Sequence, residues 1–310
     1  MVYDLIIIGS GAAGLSAGIY AGRYGMKVLC VAGEFGGESS RGGIYYNYPG
    51  TGPIDGYELM KNMKAQAKAV GVEFVDGRAI EIRQDGTCFS VTLQDGNKPS
   101  VNYSGRTLIL ANGAERRKLG LPNEKELTGK GVHYCVTCDG PVYVGKTLAM
   151  VGGGDAAIKG VNLAAQYAKK IYVLVRSGEL RAEPVNYEEM KRLGDKVEVL
   201  FNTEVKELVG VDKLDKLVLT KPYNGSTDLV VDGVFIEIGT VPDVSLSRSL
   251  GVNLDDKGYI VVDNLMKTNV DGVFAAGDTV NFFGSFKQAI TSAAMGAVAA
   301  SSAYKVYKVR

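Results

Sequence analysis

Residues 3–14 read YDLIIIGSGAAG. The run Leu5–Ile8 is apolar at consecutive positions, the pattern of a strand covered on both faces in a parallel sheet. Gly9, Gly11 and Gly14 follow at GxGxxG spacing, with Ala12 and Ala13 between them. LSAGIYAGRYG (15–25) then reads as a small-residue helix, and KVLCVA (27–32) as the next strand. Strand, glycine turn, helix and strand within about 30 residues is the context in which this motif binds a dinucleotide. Gly9 permits the tight turn, Gly11 lets a pyrophosphate approach backbone, and Gly14 lets helix and strand pack closely. The free N–H groups at the helix start carry partial positive charge toward the phosphates. The second strand ends Ala32-Gly33, without the usual acid. Glu34 either reaches a ribose hydroxyl or is a solvated loop acid.

The pattern recurs. TLAMV (147–151) reads as a strand, Gly152-Gly153-Gly154-Asp155-Ala156-Ala157 as the turn, IKGVNLAAQYA as a helix and KKIYVLV (169–175) as a strand. Two such units so far apart predict two nucleotide-binding domains of α/β class, and two different nucleotides. One unit suits a simple dehydrogenase; two suit a flavin enzyme that also binds a nicotinamide nucleotide. No acid ends the strand at Val175; Arg176 and Arg181 lie just beyond it. Arginine suits a 2′-phosphate, which favours NADPH over NADH, although both side chains also fit a solvated surface.

Cys135-Val136-Thr137-Cys138 is a CxxC followed by Asp139 and Gly140. Zinc normally needs a second ligand pair. Cys30 and Cys88 are isolated on strand-like segments and read as small core residues, and His133 is the only histidine among 310 residues. A reversible disulfide suits the spacing best: one thiol attacks while the other resolves. Asp139 either serves as acid or base beside the thiols or caps the turn. His133, in the near-apolar GVHYC, reads first as packed or surface-exposed, with tuning of the thiols as the alternative.

Composition narrows the class further. Lys plus Arg is 35 against 34 for Asp plus Glu, which gives no electrostatic reason for nucleic acid or an acidic membrane. No apolar run approaches the ~18 residues of a membrane span, and no signal peptide or lipidation signal is visible. A soluble cytoplasmic protein is the expectation. Gly numbers 41, and the excess is expected to concentrate where backbone approaches a nucleotide.

Taken in order, GSGAAG, NYPG (47–50), LILANGA (108–114), YCVTCDG (134–140), VGGGDAA (151–157), GVFIEIG (233–239) and GVFAAGDTVNFFGSFKQAITSAAMGA (272–297) resemble the low-molecular-weight thioredoxin reductases. The resemblance covers essentially the whole chain. It implies two Rossmann-like domains: an FAD domain, residues 1–114 plus 244–310, split by an inserted NAD(P)H domain, 115–243, that carries the CxxC. It implies a homodimer, a large domain rotation and a thioredoxin-like protein substrate. Cys138 would face the flavin and form the charge-transfer thiolate, Cys135 would attack the substrate disulfide, and Asp139 would be the acid/base. FAD would be held by Gly9, Gly11, Ala12, Ala13, Gly14, Glu34, Gly37, Asn47, Ala111, Gly113, Gly277, Asp278, Lys287, Gln288 and Ala289. NADPH would be held by Gly152, Gly154, Asp155, Ala156, Arg176 and Arg181.

The departures concern the electron donor more than the thiols. Lys159 and Gly160 stand where the family often has acids, and two arginines remain of its HRRxxxR motif. Glu38 replaces a glutamine, Asn112 replaces the threonine of ATG, and Lys287 replaces an arginine. NADH or ferredoxin as donor therefore stays open. So do a small-molecule dithiol oxidase using O₂ and a non-catalytic sensor that keeps FAD as a structural ligand.

Overall fold

Leu5, Ile6 and Ile7 are fully buried because their strand lies inside a sheet with both faces covered. That strand, β1 (Val2–Ile8), pairs in parallel with β2 (Val28–Ala32) on one side and with Val101–Leu110 on the other. The fold is that of a computed structural model, which describes residues 1–96, 98–284 and 286–309. It divides into two units, Met1–Glu115 with Pro242–Arg310, and Arg116–Val241.

In the first unit, Glu73–Asp76 extends the parallel sheet beyond β2. The second half of Val101–Leu110 takes Val273–Ala275 as a further parallel partner, and its first half joins the antiparallel hairpin Arg78–Asp85 and Cys88–Gln94. Helix α1 (Ala12–Arg23) follows the glycine loop, and the long helix Ala289–Val309 packs against it. The core around Ile6, Leu108, Ile109 and Phe274 is at most 1 % exposed. Each such side chain contributes about 1.5–3 kcal/mol by leaving water.

The second unit has a five-stranded parallel sheet in the order Val132–His133, Gly233–Ile236, Thr147–Val151, Lys170–Val175, Val197–Phe201. Side chains alternate along its central strand. Leu148 and Met150 enter one core with Val173 and Phe235; Ala149 and Val151 enter another with Leu174 and Ile236. A three-stranded antiparallel sheet, Val205–Gly210, Leu214–Tyr223 and Ser226–Val230, closes the second core. The unit's two ends are tied by the Arg117 amide donating to the Gly239 carbonyl at 2.9 Å. The ends left in the first unit are tied likewise, by the Asp243 amide to the Gly113 carbonyl at 3.2 Å and the Asn112 Nδ2 to the Asp243 carbonyl at 2.5 Å. Both units are α/β with parallel sheets, as the sequence predicts.

Cys88 is a correction. It begins the strand Cys88–Gln94 half-buried, at a hairpin turn, rather than in the core; Cys30 is buried as expected, with its thiol pushed up to about 12 by desolvation.

Candidate active site

Three clusters place the residues that the sequence singles out. The first is built on the loop after β1. Gly9 has φ +112°, and a Cβ there would lie 2.2 Å from the Ala111 carbonyl oxygen. A Cβ on Gly14 would lie 1.8 Å from the Gly9 carbonyl oxygen. Loop and helix therefore close on each other only without side chains. Gly11 differs: its nearest neighbour would be the Gly36 carbonyl oxygen at 3.7 Å, so the space in front of it is free of protein. Helix α1 begins there with no side-chain cap and no acid in its first turn. Its orphan N–H groups face that space, the arrangement a pyrophosphate needs. Ala12 and Ala13 are buried behind it.

The same unit brings Asn47 to Gln288, Nδ2 to Oε1 at 3.2 Å, across 241 residues of sequence. Asp278 accepts a bond from Ser292 Oγ at 3.2 Å, directly after Gly277 at φ +85°. Lys287 Nζ donates to the Val280 carbonyl and lies 4.3 Å from the centroid of the Tyr259 ring. Ala289 opens the long C-terminal helix, and Gly37 and Gly113 adopt positive φ. Glu34 is paired with Arg41, an engagement the sequence does not reveal. These residues fit FAD: a capless helix start over an open glycine, and a half-buried carboxylate on the neighbouring loop.

Burial pushes the Asp278 carboxyl above its ordinary range, against the opposing pull of Lys287 and Ser292. A carboxyl whose proton affinity rises on folding stabilises the fold below its unfolded pKa, and that stabilisation is lost as pH rises through the folded value. Asp278→Asn is therefore expected to raise the melting temperature of the flavin-free chain by a few degrees at pH 7. The gain should vanish below the ordinary aspartate pKa of about 3.9, while retention of FAD weakens. Melts at pH 7 and at acid pH, with flavin absorbance per chain, check both parts.

The second cluster is the glycine loop after Thr147–Val151. A Cβ on Gly152 (φ +139°) would lie 2.2 Å from the Glu237 carbonyl oxygen, whereas Gly154 faces open space. The helix Asp155–Ala164 starts without a side-chain cap, and Ala156 on its first turn is exposed. The Arg181 amide donates to the Gly153 carbonyl at 2.7 Å, which sets Arg181 at the edge of the loop. Its side chain is 72 % exposed, and Arg176 is exposed at the end of its strand. Asp155 is committed within the protein. It pairs with Lys159 at 2.9 Å and accepts from the Glu183 amide at 3.0 Å and Asn186 Nδ2 at 2.7 Å. Burial raises its pKa, but these partners together bring it below the usual value.

The third cluster is the CxxC. Cys135 and Cys138 form a disulfide, and Val136–Asp139 is a single helical turn between strand and 3-10 helix. Cys135 Sγ accepts the Cys138 amide at 3.2 Å and so caps the turn itself; Asp139 does not. Cys135 is half-buried and Cys138 exposed. An amide donor aimed at sulfur favours its thiolate once the disulfide opens.

Sequence reading misses three engagements in the second unit. His133 is packed, as the sequence suggests, and its Nδ1 lies 3.1 Å from Asp139 Oδ2, a contact the sequence does not reveal. Glu124, buried, accepts the amides of Leu119, Gly120 and Leu121 at 2.9, 2.7 and 3.2 Å and the Tyr134 hydroxyl at 2.6 Å. Arg116 pairs with the buried Glu237 beside the second glycine loop. The signal for Glu124 is LPNEKEL, where an acid follows a turn that presents successive amides. Among the described residues no group of side chains could hold a metal, and no helix is long and apolar enough to cross a membrane.

Residues 3–296 match the family model of the pyridine nucleotide-disulphide oxidoreductases. A thioredoxin reductase of Listeria innocua is 38% identical over 307 residues, 98% of this chain and 93% of that protein. A thioredoxin reductase structure from Lactococcus lactis superposes with a TM-score of 0.91 at 30% identity, covering 99% of this chain and 100% of the other. A ferredoxin-flavin thioredoxin reductase from Clostridium acetobutylicum matches with a TM-score of 0.53 at 30% identity, over 100% and 99% of the two chains.

Proposed function

We propose, given that this chain belongs to the thioredoxin reductases of the pyridine nucleotide-disulphide oxidoreductase family, that it reduces the disulfide of thioredoxin or a thioredoxin-like protein at the expense of NADPH. The observation that carries this reading is the Cys135–Cys138 disulfide in the same unit as the second glycine loop. Bound FAD would supply acceptance of a hydride and its release as two electrons. The reaction balances as one hydride and one proton in, two thiols out. Met1–Glu115 with Pro242–Arg310 is the proposed FAD domain and Arg116–Val241 the proposed NADPH domain.

The thiol steps belong to the chain's own residues. The Cys135 thiolate attacks one sulfur of the partner's disulfide, whose S–S bond breaks as a mixed disulfide forms. The departing sulfur takes its proton from Asp139. Cys138 then gives up its thiol proton and attacks Cys135 Sγ, the partner's second sulfur leaves and takes up that proton, and the Cys135–Cys138 bond is restored. The amide donor at Cys135 Sγ supports the attacking role.

NADPH rests on Arg176 and Arg181. Replacing Arg181 with alanine should raise KM for NADPH about tenfold while leaving NADH kinetics unchanged, the effect of one lost charge-assisted contact of about 1–3 kcal/mol. Two arginines instead of three, with the likeness to a ferredoxin-flavin enzyme, favour reduced ferredoxin as the second reading. Anaerobic titration of the yellow protein with NADPH, then NADH, then reduced ferredoxin decides the donor by the flavin bleach. If the flavin stays oxidised with both nucleotides, the NADPH reading fails. Hydrogen peroxide release from a small dithiol would instead indicate an oxidase.

A further inference from the structure

His133 is 6 % exposed, at the end of the short strand Val132–His133 paired to Val234–Phe235. Its ring stacks on Phe235 with centroids 5.3 Å apart and meets the edge of Tyr143 at 5.4 Å. Nε2 lies 2.7 Å from the Tyr143 hydroxyl and Nδ1 lies 3.1 Å from Asp139 Oδ2. Asp139 is itself 41 % exposed at its side chain and adjoins Cys138. We infer that His133 is the positioning residue of the redox site, holding the Asp139 carboxyl in place for proton delivery to the departing sulfur. The inference rests on the reading of Asp139 as the acid/base.

Both ring contacts are satisfied together when the ring proton sits on Nδ1. The proposed arrangement puts the ring proton on Nδ1, donated to Asp139 Oδ2, and leaves the other carboxyl oxygen to hold the proton that is delivered. Nε2 of a neutral ring then has a lone pair, and the Tyr143 hydroxyl donates to it. Burial raises the Tyr143 pKa, and Asp139 and Asp232 raise it further, so the phenol keeps that proton. The hydrogen bond on one nitrogen sets which form the other takes. Phe235 and Tyr143 wall the ring, so it cannot swing away. The Asp139 proton leaves with the thiolate as its S–H bond forms, the carboxylate keeps the Nδ1–H donor, and no electron passes through the imidazole. An exposed carboxyl on a single helical turn would otherwise sample several rotamers, few of them pointed at sulfur.

The chain has one histidine, so ¹⁵N-histidine labelling of the oxidised holoprotein yields a single imidazole. The expected result is the Nδ1–H tautomer, shifting toward Nε2–H in Tyr143→Phe and in Asp139→Ala. In kinetics, His133→Leu should lower kcat for protein-disulfide reduction about 100-fold, the scale of one acid–base contribution, with KM for the protein disulfide unchanged. His133→Asn, which keeps a donor near the Nδ1 position, should recover to within about tenfold of wild type. Flavin content and the reductive bleach are followed in each variant; if His133→Leu does not fold, the tautomer and His133→Asn against Tyr143→Phe still decide. An Nε2–H tautomer in the wild type, or wild-type kcat in His133→Leu, overturns the inference. A wild type whose flavin bleaches but which leaves thioredoxin oxidised sinks the thioredoxin reading instead, and the variants are then compared on a small aromatic disulfide.

Discussion

Cys138→Ser lowers protein-disulfide turnover by a factor of about 10⁴ or more, and leaves Cys135 able to attack once and then stall. The two sulfurs are bonded to each other, while of the other cysteines Cys30 is buried and Cys88 begins a hairpin strand. The expected trace is a mixed disulfide between Cys135 and the partner protein, seen by mass spectrometry after mixing with oxidised partner in mild reductant. Cys135→Ser should lose turnover equally and trap nothing, the outcome expected from the proposed roles of Cys135 in attack and Cys138 in resolution. Trapping at Cys138 instead would exchange the two roles. Retained turnover in both variants would end the dithiol mechanism.

The second large effect is structural. Gly14→Ala and Gly296→Ala should each cost about 3 kcal/mol or more and abolish flavin retention, because the clash in each is with main chain. The added Cβ at Gly14 would lie 1.8 Å from the Gly9 oxygen, and that at Gly296 2.0 Å from the Ala13 oxygen, where the C-terminal helix presses on α1. Neither can be relieved by turning a side chain. Gly11→Ala is the contrast. Its φ is −78° and its Cβ would clear protein by 3.7 Å, so the apoprotein should melt as wild type does while FAD is lost. Thermal melts with and without added FAD separate the two outcomes. A Gly11→Ala protein that stays yellow would show that no pyrophosphate sits over that residue.

This contrast also shows what a sequence can reveal. The glycine spacing and the apolar runs beside it make both βαβ units legible, because tight turns and two-sided burial leave local signatures. Helix α1 starts at Ala12 rather than at Leu15, since a glycine-flanked Ala-Ala gives no capping signal even though it is where the helix begins. The antiparallel strands Val205–Gly210 and Leu214–Tyr223 have weaker patterns, interrupted by register shifts, and do not announce themselves. His133 is the plainest gap. Its partners Asp139 and Tyr143 are six and ten residues away across a helical turn and a 3-10 helix, and Phe235 comes from a distant strand. A lone histidine in an apolar stretch reads as packing, and it does pack; the acid it also grips is visible only once the chain has turned. Glu34 shows the converse, an acid suited to a ribose by sequence position and engaged by Arg41 in the fold.

The hydrogen-bonded ends at Arg117 and Gly239, and again at Gly113 and Asp243, bear on the gene as much as on the enzyme. A segment whose two termini already meet can be spliced out as a cassette, and a host whose cut edges already meet can be sealed with a short turn. Neither piece is left with a gap to bridge. The stretch Arg116–Val241 is therefore a unit that recombination can move whole, and a redox module that an engineer can transplant into another exposed turn without stretching either chain.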